Sequence, residues 1–505
     1  MTDTSLPSGP RAGAPARAAA ADPRAPASAL YRAVWRWHFY AGLLVLPFMA
    51  LLAVTGGIYL FKDEINDALY ADLARVAPQE SPQLPPSALA AAALEAVPGT
   101  LRGYAPPAAP DRSAQVKIQR QDGLRDVVWV DPWTARVLGS SWDAGSSGSG
   151  AMWVVRKLHS LEYVGWWGNR IIEAVAGWAI LLTATGLYLW WPRRGRKAGV
   201  LVPRKTRGRA LWRDLHAVTG AWAALFIAFL ALSGLPWSGV WGKWFYEGAY
   251  ELGLGMPDGY WSSYPVSTVP MGEAMDKTPW ILERQPMPVS GVPDDHAGHA
   301  DHGAAGATSA EAEAAPAPTG TPTATQTATE TAGAPAMLDQ AVARVEALGM
   351  VPGWTLDVPT TPEGVFTASV YPDAISDERV IHLDRYTGEV LFDLGFADLG
   401  ALGRAAEWGV SVHMGQRYGL ANQLLMLLTC VAVVLMAVSA AVMWWKRRPA
   451  GGLGAPRAPA DWRAPRAILA MAVVAGLVFP LVGLSLVVIL AIDLILPRAL
   501  RRRVG

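Results

Sequence analysis

The chain has 505 residues, of which 52% are hydrophobic and only 17% charged, with 23 tryptophans and a net charge of +1. That balance excludes an ordinary soluble domain and gives no electrostatic basis for nucleic-acid binding. A single cysteine, Cys430, excludes a disulfide framework, a cysteine-ligated zinc site and an iron–sulfur cluster.

Residues 1–30 are rich in Ala, Pro, Arg and Ser and read as a disordered arm. The first apolar stretch is too long for a signal-peptide core and is expected to be a retained helix. Runs long enough to cross a bilayer, about 20 residues, occur at 39–61, 171–191, 215–237 and 420–445, with a fifth at 467–496. With their flanks they define spans at 31–62, 151–192, 213–238 and 406–446, and a C-terminal apolar segment at 466–496. Pro480 and Gly483 interrupt that last segment, so one span or a hairpin both fit.

Basic residues crowd three places: the N-terminal arm, the loop 193–212 and the loop 447–465. By the positive-inside rule all three are cytoplasmic. The polar segments 63–150 and 239–405 then face outward. Each carries a helical stretch and a hairpin. In the first, PSALAAAALEA precedes VVWVDPWTARVLG at 127–139; in the second, MLDQAVARVEAL precedes VIHLDRYTGEVLF at 380–392. Alternating strands around an Asp-centred turn are a hairpin signature. Two small outward α+β modules are therefore expected, the second at 336–396 after an insertion at 294–335. Aromatic residues between 237 and 264 are read chiefly as an interfacial belt. His382 is expected on a surface.

Four histidines stand at the mouths of the spans, in two similar pairs. His38 is followed by Gly42, Thr55 and Gly56 at +4, +17 and +18; His216 by Gly220, Ser233 and Gly234 at the same offsets. His159 has Gly165 at +6 and a Trp pair ending at +32; His413 has Gly419 and Trp445 at those offsets. Asp131 and Asp384 differ by 253, and His159 and His413 by 254. The pattern reads as a tandem duplication of helix, outer module and helix.

Sidedness then pairs the histidines. His38 and His216 lie at cytoplasmic helix ends, and His159 and His413 at outer ones. Two imidazoles at one depth on equivalent helices can ligate one haem iron from opposite faces. Gly42 and Gly220, one turn beyond their histidines, are expected to leave room for a porphyrin. Arg36 and Arg213 on the inner side, and Arg156, Lys157, Arg170 and Arg417 on the outer side, are candidates for its propionates. As twelve residues separate His159 from Ile171, a continuous helix lifts the outer pair roughly 18 Å above the apolar run. His296, His299 and His302, with Asp294, Asp295 and Asp301, form an acidic, His-rich tract suited to weak divalent or ferric binding. No side chain is assigned a catalytic acid–base role.

Several motifs carry a family resemblance: WRWHFYAG with VTGGIYLF, LHSLEYVGWWGNR with TGLYLWWPRR, WRDLHAVTGAW with LSG, VHMGQRYGLANQ with MWWKRRP, and the two hairpins. Over about residues 31–492 the chain resembles the PepSY-associated transmembrane helix family, which includes iron-regulated inner-membrane proteins and ferric-siderophore reductases. The resemblance implies a polytopic α-helical membrane protein with a four-helix haem-binding core and two periplasmic PepSY-like α+β modules. It implies an inner-membrane location with a cytoplasmic N-terminus, and two b-type haems on His38, His216, His159 and His413. It also implies a periplasmic ferric siderophore or other ferric chelate as electron acceptor. Membrane lipid surrounds such a protein; the donor is left open by the sequence, with quinol at the membrane or a cytoplasmic reductase meeting the basic loop both fitting. Two other readings stay open from the sequence: a non-enzymatic sensor, assembly or protease-restraining factor, and a metal or chelate permease.

Overall fold

The computed structural model describes residues 29–191, 207–255, 266–291, 337–448 and 466–495. The first helix, α1 (Ala29–Tyr59), continues through short helices α2 (Lys62–Leu69) and α3 (Ala71–Ala74) into the first polar segment. There α4 (Pro86–Ala96) precedes strands β1 (Gly99–Ala105), β2 (Ala114–Arg120), β3 (Arg125–Val130) and β4 (Val137–Trp142). The chain returns through α5 (Gly150–His159), α6 (Trp166–Trp190) and α7 (Arg209–Gly234). After α8 (Val240–Glu251), β5 (Val266–Pro270), α9 (Met271–Ala274) and β6 (Pro286–Pro288), a helix α10 at 337–347 opens the second module. Strands β7 (Thr355–Asp357), β8 (Phe366–Val370), β9 (Arg379–Leu383) and β10 (Val390–Gly395) follow, then α11 (Ala401–His413), α12 (Gly419–Trp445), α13 (Arg466–Val478) and α14 (Pro480–Ile495).

Among the described residues, α1, α6, α7 and α12 are long and apolar enough to cross a membrane. This is a membrane protein. Each of the four packs on two others: α1 and α7 both touch α6 and α12. They form a bundle in which α1 and α7 occupy one diagonal. Much of their apolar surface faces outward, as at Leu44, Trp222, Leu225 and Leu428. A lipid environment requires that inversion of the soluble pattern.

The two α+β modules do not stand apart. Their strands share one eight-stranded antiparallel sheet, in the order β10-β9-β8-β7-β1-β2-β3-β4. The join is short: Gly103 pairs with Asp357 and Tyr104 with Leu356. The two hairpins expected from the sequence are present, but in one sheet and not in two separate modules. Edge strands are unsatisfied hydrogen-bonding surfaces, and two half-sheets satisfy each other by pairing edges. The helices α4 and α10 cover one face, where Leu89, Ala93, Leu338, Val342 and Val345 bury against Val116, Val128, Leu356 and Ile381. Ser87 ties their ends by donating from N and Oγ to the two Asp339 carboxylate oxygens, at 2.7 and 2.6 Å. In both hairpins the turn Asp accepts two backbone N–H groups: Asp131 from Trp133 and Thr134, Asp384 from Tyr386 and Thr387.

The other face of the sheet rests on α8, α11 and the segment 271–288. Here Tyr246 is core and Trp237, Phe245 and Tyr250 pack half-buried against it, so much of the expected belt is instead turned onto the sheet. Tyr246 and Trp280 are buried, with Trp237 edge-on and Phe245 tilted against the Trp280 ring, while Trp244 is exposed. Tyr260, Trp261 and Tyr264 lie outside the described residues. His382 is also not on a surface. It is fully buried on β9, bonded through Nδ1 to the Thr367 hydroxyl at 2.8 Å.

The C-terminal apolar segment folds back on itself between α13 and α14. A Cβ built on Gly483 would lie 2.7 Å from the Gly476 Cα, whereas seven residues of straight helix span roughly 10 Å. The segment is therefore a helical hairpin, and it packs on α6 through Val482, Phe479 and a Trp178–Ser485 hydrogen bond of 3.1 Å.

Candidate functional site

All four histidines lie inside the bundle, and they meet in two pairs. The rings of His38 and His216 have centroids 6.4 Å apart and planes at 86°. Those of His159 and His413 are 6.5 Å apart at 87°. These are the pairs that sidedness and the repeat offsets suggest.

The outer pair sits lower than a continuous helix would place it. α5 stops at His159, and the chain turns through Leu161 (φ 52°) and Gly165 (φ 65°) before α6 begins. α11 stops at His413, and the chain turns through Gly415 (φ 77°) to Gly419 (φ 58°), which opens α12. The +6 glycines thus supply left-handed turns, which glycine adopts without a Cβ clash. Each break lets a short helix fold against the bundle, so its terminal histidine reaches the outer end of a spanning helix. His159 reaches Thr55 and Gly56 on α1, and His413 reaches Ser233 and Gly234 on α7.

Every one of the four imidazoles is held by a hydroxyl. Thr55 Oγ1 lies 3.0 Å from His159 Nδ1, and Ser233 Oγ 2.9 Å from His413 Nδ1. Thr185 Oγ1 lies 2.9 Å from His38 Nδ1, and Ser439 Oγ 3.2 Å from His216 Nδ1. Each hydroxyl already donates its proton to a carbonyl of its own helix: Thr55 to Leu51, Ser233 to Phe229, Thr185 to Leu181 and Ser439 to Met436, all within 2.7–2.9 Å. It therefore has only lone pairs to offer, and Nδ1 must be the protonated nitrogen. His216 makes the same point independently, since its Nδ1 also lies 3.2 Å from the Met436 carbonyl, which only accepts. Nε2 is left in each ring as the nitrogen with a free lone pair, the form that binds a metal.

The spacing suits a shared metal centre. An imidazole nitrogen lies about 1 Å from its ring centroid and about 2 Å from a bound transition metal, so two axial imidazoles separate their centroids by roughly 6 Å. The two pairs stand at different depths. Seventeen residues separate His38 from Thr55, the contact of His159, and seventeen separate His216 from Ser233. Both helices thus set the pairs about 25 Å apart along the bundle.

Thr185 and Ser439 are site residues that sequence reading missed. The signal was present: TG at 185–186 and SA at 439–440 stand near the ends of α6 and α12 as TG at 55–56 and SG at 233–234 do on α1 and α7. Three glycines beside these hydroxyls, not Gly42 and Gly220, approach the rings. A Cβ on Gly56 would lie 3.2 Å from His159 Cε1, one on Gly186 3.2 Å from His38 Cε1, and one on Gly234 3.9 Å from His413 Cε1. At Gly42 a Cβ would meet Leu182 at 3.9 Å, an ordinary contact, and at Gly220 it would meet Met436 at 3.1 Å.

Among the candidate propionate partners, Arg156 and Lys157 pair with Glu162, and Arg213 with Asp214. Arg170 covers the Trp166 ring at 4.1 Å, and Arg417 lies over Tyr418 at 5.7 Å with its buried Nε unbonded. Glu173, a buried carboxylate within a spanning helix, accepts the Val240 and Trp241 backbone N–H groups at 2.8 and 3.1 Å. It caps the start of α8, a structural role that leaves no free carboxylate there for a permeating cation. His296, His299 and His302 lie outside the described residues, as do 1–28, most of the basic loop 193–212 and 449–465.

A family model for the PepSY-associated TM region matches residues 35–447, and the chain belongs to that family. No curated protein matches it.

Proposed function

We propose that this chain is a membrane electron-transfer protein holding two b-type haems, one between His38 and His216 and one between His159 and His413. It passes single electrons to a ferric siderophore or similar ferric chelate on the side that carries the sheet. The observation that carries the reading is the fourfold one: two imidazole pairs at 6.4 and 6.5 Å, each ring fixed by a hydroxyl with Nε2 left free.

Bound haem supplies a one-electron iron couple at each of the two depths. The protein's own residues do the rest. Thr185, Ser439, Thr55 and Ser233 hold the rings in one tautomer and one orientation. Ala53, Ala223, Ile227 and Val433 fill the bundle between the pairs and exclude water there. The tandem duplication explains why both pairs are built from the same parts, with α1 and α7 each giving an inner histidine and an outer hydroxyl.

The basic flanks 193–212 and 447–465 support an inner-membrane orientation with those loops in the cytoplasm and the sheet in the periplasm. Quinol, or a reductase docking on the basic face, is then the donor. Ferric iron is held by siderophores far more tightly than ferrous iron, so one electron releases it. A reduced-minus-oxidised spectrum of the purified full-length protein tests the reading. A b-type signal at two haems per chain, with oxidation by a ferric siderophore, supports it; protein produced with ample haem yet lacking that signal overturns it.

A further inference from the structure

Where the bundle meets the sheet, on the sheet side of the outer histidine pair, two buried carboxylates and an exposed lysine come together from three segments. Glu407 lies on α11 and is 7% exposed; its carboxylate accepts the Trp280 backbone N–H at 2.5 Å. Glu378, just before β9, is 6% exposed, and its Oε1 is buried with no hydrogen-bond partner. Lys277 lies with its ammonium 3.9 Å from the centroid of the Tyr371 ring, and Tyr371 donates its hydroxyl proton to the Lys277 carbonyl at 2.7 Å.

The cluster does not balance. Two carboxylates share one ammonium, and Glu283, which accepts from Trp237 Nε1 at 3.1 Å, adds a third acid facing Glu407. The other charged groups facing it are Arg284, which acts on Glu283, and the Lys62–Asp63 pair at the end of α1, which faces Lys277. The Asp63 side chain is 66% exposed, so the cluster meets water at that edge. Nor is the cluster far from the outer pair. Six residues of one continuous helix join Glu407 to His413, about 9 Å along its axis.

We propose that Glu378 and Glu407, with Lys277, form a proton-loading site that takes up one proton from the aqueous phase on the sheet side when the His159–His413 centre receives an electron. The inference rests on the haem reading above. The balance is simple. One electron from the donor converts ferric to ferrous iron. One proton from water adds to a carboxylate oxygen of Glu378 or Glu407, turning a carboxylate into a carboxylic acid. The proton leaves when the electron passes to the ferric chelate. The driving force is electrostatic, because an added negative charge in a poorly screened interior raises the proton affinity of a nearby buried acid. Burial already pushes Glu378 up to about 8 and Glu407 to about 7, so the two buried acids are poised to titrate near neutrality. No neutral partner satisfies Glu378 Oε1 in place of a proton.

The test is a potentiometric titration of the full-length haem protein from about pH 6 to 9, followed optically. The outer centre is identified as the component missing in His159→Ala. Its midpoint potential should fall with rising pH, approaching the 59 mV per tenfold change in proton concentration of one-proton coupling. The inner centre should stay nearly flat. Glu378→Gln and Glu407→Gln, both isosteric, should each reduce the outer slope, and together remove it. A flat outer potential in the wild-type protein overturns the proposal without any variant, and a slope that survives the double substitution overturns it as well. Protein with no haem signal would instead sink the underlying haem assignment, and this inference with it.

Discussion

The Thr55 hydroxyl and the His159 imidazole meet at 3.0 Å although 104 residues and four strands separate them in the chain. Ser233 and His413 repeat the contact at 2.9 Å across 180 residues. In both cases a hydroxyl bonded back to its own helix tells the ring which nitrogen keeps the proton.

Substituting single histidines should divide the site cleanly. His216→Ala or His38→Ala should lower haem content from two per chain to one while leaving the outer signal. His159→Ala or His413→Ala should do the reverse. Haem extraction and quantification, with the reduced spectrum, checks this. Loss of both haems in a folded His216→Ala protein would argue against two independent centres.

Removing a hydroxyl should weaken its centre without abolishing it. Thr55→Val leaves His159 Nδ1 with no acceptor from that side chain in a buried position. A stability loss of about 1–3 kcal/mol is expected, with haem affinity at that centre falling roughly 10–100-fold. Ser233→Ala should act alike on His413. Haem transfer to a competing apoprotein reads the affinity; an unchanged rate in both variants would show that the hydroxyls are incidental.

The glycines predict an asymmetry. An alanine methyl at Gly56 would stand 3.2 Å from His159 Cε1, but at Gly234 it would stand 3.9 Å from His413 Cε1. The first distance forces the ring to shift, and the second is ordinary contact. Gly56→Ala should therefore broaden or shift the outer haem spectrum, and Gly234→Ala should leave it close to wild type. Equal effects would mean that ring clearance is not what these glycines provide.

His382 makes stability depend on pH. Its burial lowers its pKa from 6.5 to about 3. The unfolded chain binds a proton there below pH 6.5 and the folded protein does not, so stability is full above 6.5 and falls as pH drops toward 3. Between pH 6.5 and 5 the loss is about 2 kcal/mol at roughly 1.4 kcal/mol per unit. Thermal melts of wild type and His382→Val should differ by a constant amount above pH 7, and wild type should lose stability more steeply below pH 6. Matching curves at pH 5 would remove His382 from the account.

Much of the membrane part is legible in the chain because its causes are local. Helix length follows from apolar run length. The pairing of His38 with His216 follows from equal offsets and from sidedness. The Asp turns at Asp131 and Asp384 follow from short-range side-chain bonds. What resisted reading depends on contacts between distant segments. Nothing in the pattern of β1 or β7 says that Tyr104 pairs with Leu356 and so merges two half-sheets into one. His382 looks like a surface residue on an alternating strand, until the segment 271–288 and α8 cover that face.

By itself, then, the sequence determined the four spans and the four histidines that meet in pairs, since hydrophobic length and residue spacing act along the chain. The tertiary structure alone decided their depth and chemistry. The left-handed turns at Gly165 and Gly419 lower the outer pair to the ends of α1 and α7. Hydroxyls on neighbouring helices then fix each ring's proton, because a tautomer is chosen by whichever partner lies across the gap.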